Sequence, residues 1–272
     1  MVSLITRGAV VGVGGLSIAA YRNAKSVAKQ NSPFRRYWER HLLLTLDELE
    51  TRAQAGRPLP LIYVALGDSA AQGLGADCVE DGYVPRLASG IGQATGREVA
   101  LLNLSLSGGT VASVLGTQLK QLAGLRIAGQ PVTPDVVTLD IGGNDVGVEG
   151  LTIAEFGRRF DELAKAIPSP AFIADIPSFR PTKSAERAKK MSAEMHRAAA
   201  ENGHTIIGLE ALSETFSVKE YILKYHAPDL FHPNNPWYAK WSELFMPEIA
   251  AKLGVDAPNM ADVPAWQGIA VD

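Results

Sequence analysis

The sequence predicts an α/β protein, a three-layer α/β/α sandwich built on a five-stranded parallel sheet. Two observations predict it. From residue 61 onward, five short runs are almost continuously apolar and rich in β-branched residues, as strands covered on both faces must be. Between them stand stretches with apolar residues at three- and four-residue spacing, and strand-helix alternation of this kind implies βαβ crossovers. The composition fits a substantial core, with 46% hydrophobic and 20% charged residues in a chain of 272. Disorder and a collagen-like fibre are excluded. The single cysteine, Cys78, excludes an internal disulfide and a Cys-rich zinc site.

Residues 1–56 form an N-terminal arm and helix. They carry 8 Lys+Arg against 4 Asp+Glu, whereas the remainder carries 18 against 25. The whole chain sums to only −3, which gives no footprint for nucleic acid. The uncharged run between Arg7 and Arg22 has 14 residues, short of the ~20 that a spanning helix needs. Basic residues crowd 21–40, a pattern suited to a cytoplasmic flank or to anionic lipid. The arm is therefore read first as membrane-associating, on an undecided side. The alternatives are a signal peptide cleaved near Ser17-Ile18-Ala19 and a helix docked on the body. Trp38, Leu42, Leu46 and Leu49 predict a helix over 34–52, its apolar face packed on the domain. Gly56, Pro58 and Pro60 end it.

The body spans 57–253. Its strands are expected at Leu61–Leu66, Val99–Leu104, Val136–Ile141, Ala171–Ile176 and Thr205–Leu209. Helices are expected near 83–94, 111–124, 153–166, 183–201 and 237–252. Residues 254–272, with Pro258, Pro264 and little periodicity, read as a surface tail.

In such sheets ligands bind beyond the carboxyl ends of the strands. Four polar clusters obey that rule: Gly67-Asp68-Ser69-Ala70, the stretch from Asn103 to Thr110, Gly142-Gly143-Asn144-Asp145, and Asp229 to Pro233. A serine hydroxyl is a weak nucleophile that needs an adjacent base, and a histidine base needs a carboxylate to hold its tautomer. Asp229 and His232 stand three apart in one turn. Ser69 stands where a strand gives way to a turn and then a helix, with backbone N–H groups facing an incoming anion. Gly108 offers an unobstructed N–H, and Asn144 a side-chain amide, where a carbonyl oxygen turns negative. Taken singly, each cluster has a plainer reading as a cap or turn. Their order on one sheet edge gives the combination its weight.

The four clusters resemble the sequence blocks of the SGNH hydrolases, also called the GDSL esterase/lipase family. GDS at 67–69, NxSxSGGT at 103–110, GGND at 142–145 and DxxHP at 229–233 match in order over most of the body. The resemblance implies Ser69 as nucleophile, His232 as base and Asp229 as its orienter. It implies an oxyanion hole from the N–H groups of Ser69 and Gly108 and the Asn144 side chain, within a flavodoxin-like fold. Ala70 departs from the usual leucine after the serine. The form of the second block is most similar to the thioesterase/lysophospholipase branch.

The expected activity is a cofactor-independent serine esterase acting on a small-molecule or lipid ester, with Phe231 touching substrate. An O-acyltransferase using the same residues is the alternative, and an idle binding domain the third reading. His41, His196, His204 and His226 lack a partner pattern and read as surface or packing residues. Asp68 reads as structural, and Trp237, Tyr238 and Trp241 read as core beneath the last helix. Asp140 and Asp145 lack the spacing of a metal site, and the GVGG at 12–15 follows no strand, which argues against a dinucleotide site.

Overall fold

A computed structural model describes residues 26–271, so the apolar run and its membrane reading lie outside the described residues. No described helix is long and apolar enough to cross a membrane.

The chain opens with α1 (Asn31–Gln54), then β1 (Leu61–Gly67), α2 (Tyr83–Thr95) and β2 (Val99–Asn103). Helix α3 begins at Val111–Ser113, widens into a π-helical turn over Val114–Gln118 and ends at Leu119–Gly124. A small hairpin of β3 (Arg126–Ile127) and β4 (Gln130–Pro131) leads to β5 (Val136–Asp140), α4 (Ile153–Ala166), β6 (Phe172–Ala174) and α5 (Ala185–Glu201). Strand β7 (Thr205–Ile207), the short helices α6 (Leu209–Glu214) and α7 (Val218–Tyr225), and α8 (Asn235–Leu253) complete it.

The main sheet has five strands in the order β2-β1-β5-β6-β7, and every pairing is parallel. Side chains alternate between its faces. Tyr63 and Ala65 enter a core with Leu87, Trp241 and Phe245 of α2 and α8. Ile62, Val64 and Leu66 enter a second core with Phe156, Phe160 and Met195 of α4 and α5. The chain leaves β1 first toward β2 and later returns on its other side as β5. The order therefore reverses at β1, where the carboxyl ends open a crevice.

All five predicted strands exist within one to three residues of their expected ends, save that Leu209 starts α6 instead of ending β7. The hairpin, α6 and α7 had no sequence signal long enough to predict them. Helix α1 packs against the edge strand β2. Phe34 and Trp38 enter one core and Leu42 and Leu49 the other, so this helix, placed by sequence in the arm, closes the open edge of the sheet. The tail is likewise tied down. Trp266 is buried, its ring 5.9 Å from Trp38 and 5.0 Å from His41.

Candidate active site

Strand β1 ends at Gly67, whose φ of +143° suits glycine alone; a Cβ there would stand 2.3 Å from the Asp140 carbonyl oxygen. This close approach joins the ends of β1 and β5. The Gln118 side chain locks the bend: its Oε1 accepts from Gly67 N–H at 2.9 Å and its Nε2 donates to the Gly67 carbonyl at 2.7 Å. Gln118 is fully buried and sits at the end of the π-helical turn of α3, a distortion that often marks functional positions. Nothing in the sequence pattern singled it out.

Ser69 follows, 4% exposed. The turn expected after it is a run of tight turns, held by Leu74 N–H on the Ser69 carbonyl (3.0 Å) and Gly73 N–H on that of Ala70 (2.9 Å). Regular helix resumes only at Tyr83. The second block braces these turns. Asn103 donates to the Ala71 carbonyl at 2.8 Å, and Gln72 donates to the Ser105 carbonyl at 2.8 Å.

Across the crevice, the loop between α7 and α8 brings in the histidine. His232 Nε2 lies 2.9 Å from Ser69 Oγ, and its Nδ1 lies 2.6 Å from Asp229 Oδ2. A carboxylate only accepts, so Nδ1 carries the proton and Nε2 is left to accept from the serine. Burial by itself would raise the Asp229 pKa. The hydrogen bond and charge of His232, with the backbone N–H groups of His232 and Phe231, outweigh it and hold the carboxyl below its usual value. The intervening Leu230 has a φ of +59°, so the turn is tight enough for residues three apart to face each other.

The loop is kept against Ser69 by a residue the sequence reading passed over. Gly75, at φ +92°, approaches so closely that a Cβ would stand 2.2 Å from the Pro233 carbonyl oxygen and 3.0 Å from His232 Cβ. Gln30 fixes Gly75 in turn, accepting its N–H at 2.9 Å and donating to the Ala76 carbonyl at 2.8 Å.

Gly108 adopts φ +74°, with open space where a Cβ would project. The backbone N–H groups of Ser69 and Gly108 donate to no protein acceptor among the described residues. Asn144 is different. Its Nδ2 donates to Asp68 Oδ2 at 2.9 Å and to the Gly109 carbonyl at 2.8 Å. Asp68, read from sequence as structural, thus also orients a candidate oxyanion donor, while its Oδ1 accepts Ala70 N–H at 3.0 Å. Burial pushes the Asp68 carboxyl up to about 6 against the pull of the Ala70 N–H and of His232. Asp145 is also pushed up to about 6 by burial, and its carboxylate receives Val111 N–H at the start of α3. Asp140 is raised well above the carboxylate range, first by burial and then by Asp68.

Asp68, Ser69, Asp140 and His232 open onto a cavity of about 490 Å³. Phe231 lines it at 48% exposure. Trp237 and Trp241 are buried, as core residues should be, but they also form part of the cavity wall.

The remaining histidines have structural partners that their spacing did not reveal. His196 meets buried Asp175 at 2.9 Å, and His204 links Ala171 N–H (3.1 Å) to the Ala164 carbonyl (2.7 Å). His226 contacts the Tyr221 carbonyl at 2.9 Å, and buried His41 lies among Tyr37, Trp38 and Trp266.

The family model for GDSL-like lipase/acylhydrolases matches residues 65–240, which takes in all four blocks. The chain belongs to this family. Solved structures of lipases and esterases share its fold. The lipase/acylhydrolase from Enterococcus faecalis is 20% identical, with a TM-score of 0.54 over 73% of this chain and 99% of that one. TesA is 20% identical, with a TM-score of 0.55 over 70% and 99%. Axe2, an acetylxylan esterase from Geobacillus stearothermophilus, is 15% identical, with a TM-score of 0.52 over 70% and 94%. A search of curated protein sequences found no match. As a GDSL-type acylhydrolase the chain is an ester-cleaving enzyme with a parallel α/β sheet.

Proposed function

We propose that this protein is a serine esterase working through an acyl-enzyme on Ser69. One observation carries the reading: the unbroken hydrogen-bonded line from Ser69 Oγ through the His232 ring to Asp229, at 2.9 and 2.6 Å. Ser69 Oγ attacks the ester carbonyl carbon as His232 Nε2 takes its proton, and Asp229 stabilises the imidazolium. The negative charge moves to the carbonyl oxygen, facing the N–H groups of Ser69 and Gly108 and the Asn144 amide. Collapse breaks the bond to the alcohol oxygen, which leaves with the proton from His232. Water then gives a proton to His232 and attacks the acyl carbon; collapse breaks the bond to Ser69 Oγ, which takes the proton back from His232 as the acid leaves.

The test is hydrolysis of p-nitrophenyl esters from C2 to C12 by the full chain, beside Ser69→Ala. Turnover by the wild type and its loss in the variant support the esterase; turnover that survives in the variant overturns it. Adding acceptor alcohols to the same assay separates hydrolysis from acyl transfer, because a transferase forms new ester at the expense of free acid.

A further inference from the structure

The cavity that holds Ser69 is unequal along its walls. Ile222, Leu230, Phe231 and Trp237 make one part apolar. The strap from Pro177 to Ser184 sets Ser178, Thr182, Ser184 and one cationic side chain, Arg180, among the apolar Pro177, Phe179 and Pro181. Arg180 Nε donates to Ser178 Oγ at 3.1 Å and Nη2 donates to the Ser213 carbonyl at 3.3 Å, at the end of α6. Both acceptors are neutral. Arg180 forms no ion pair with any described residue, although Glu210 and Glu214 share a small neighbouring cavity with it.

A guanidinium carries five N–H donors in a rigid plane. With Nε and one hydrogen of Nη2 engaged, the orientation of the plane is set while Nη1 keeps its donors. A half-buried charge between apolar walls is costly without a counter-charge, and a fork of free N–H groups matches the paired oxygens of a phosphate or carboxylate. The other acids on the cavity wall, Asp68 and Asp140, lie at the catalytic end, where Asp68 is committed to Asn144 and Ala70.

We propose that Arg180 anchors an anionic group, a phosphate or a carboxylate, carried by the ester that Ser69 attacks. The inference rests on the esterase reading above and narrows its substrate class to amphiphilic anionic esters. The apolar wall takes the hydrocarbon part, and the strap takes the charge.

Two matched pairs of esters test it on the full chain. On the acyl side, p-nitrophenyl hexanoate is compared with the p-nitrophenyl hemiester of adipic acid. On the alcohol side, monohexanoylglycerol is compared with its 3-phosphate. In at least one pair the wild type should favour the anionic member by about 10- to 100-fold in kcat/KM, the range of a charge-assisted contact. R180M should erase that preference, chiefly through KM, and R180K should restore part of it. Thermal melting and phosphonate labelling of Ser69 establish that each variant is folded. Preference for the neutral member of both pairs, or an anionic preference that persists in R180M, overturns the proposal. Ser69-dependent hydrolysis without anionic preference removes only this inference. Hydrolysis that survives Ser69→Ala removes the esterase reading, and this inference with it.

Discussion

The side-chain amide of Asn144 donates to Asp68 at 2.9 Å, and its other hydrogen is directed at the Gly109 carbonyl at 2.8 Å. Asp68, the neighbour of Ser69 in sequence, therefore aims the Asn144 amide, which stands beyond the end of β5. An arriving oxyanion competes with two acceptors for this amide, whereas the N–H groups of Ser69 and Gly108 are free. Asn144→Ala should lower kcat by about 10²–10³, the usual cost of one lost oxyanion donor. Asp68→Ala leaves the amide one acceptor and should lower kcat by less, with KM little changed. Steady-state kinetics of both variants against the wild type checks the order. Equal kcat in Asn144→Ala and the wild type would remove Asn144 from the hole.

Asp140 is a buried carboxyl whose Oδ2 has no hydrogen-bond partner. Burial and the nearby Asp68 raise its pKa well above the ordinary value. A carboxyl raised in this way binds its proton more tightly in the folded state than in the unfolded one. Its cost to stability is absent below about pH 4 and grows as the pH rises above that, because only the unfolded chain ionises freely. Asp140→Asn is isosteric and uncharged. It should match the wild-type Tm at pH 4 and exceed it at pH 8, as read by thermal melting. A variant equally destabilised at both values would refute the assignment.

Gly75 carries the histidine loop by close approach, with no room for a methyl group beside Pro233 and His232. Gly75→Ala should push that loop away from Ser69 and strain a left-handed backbone, costing about 1–3 kcal/mol. Both a lower Tm and slower phosphonate labelling of Ser69 are expected. Gly56→Ala serves as the comparison, since it shares a positive φ of +64° but meets nothing within 4 Å. Unaltered labelling in Gly75→Ala would show that the contact does not position the loop.

Gln118 clamps Gly67 through both ends of its amide. Gln118→Leu would leave the Gly67 N–H buried without a partner, while the carbonyl keeps Leu106 N–H at 3.0 Å. One orphaned buried donor costs about 1–3 kcal/mol. Denaturant unfolding should show that loss. Gln118→Glu keeps both contacts only while protonated, its hydroxyl donating to the Gly67 carbonyl, so its loss should grow as the pH is raised. Unchanged stability in Gln118→Leu would deny the clamp.

The parts legible in the sequence share one property, a local pattern. Apolar runs such as Leu61–Leu66 announce strands, and the blocks around Ser69, Gly108, Asn144 and His232 carry residue types at fixed spacing. The Asp229–His232 contact was legible too, because one turn supplies both residues. Helix α1 was legible as a helix but not as a part of the sheet, since its periodicity reports an apolar face and not what that face covers. The four remaining histidines are surface or packing residues as read, but their partners were not legible for the same reason: the partner of His196 is Asp175, 21 positions away.

The sequence by itself determined the α/β class, the parallel strands and the residue types at the crevice, because strand burial and turn chemistry are set within a few residues. The tertiary structure alone decided that Gln118 holds the nucleophile's bend, that Gly75 seats the histidine loop and that Arg180 faces the same cavity as Ser69. Each is a relation between groups 51 to 158 positions apart along the chain, from Gln118–Gly67 to Gly75–Pro233. Their meeting depends on the reversal of strand order at β1, and only the folded sheet brings those loops to one edge.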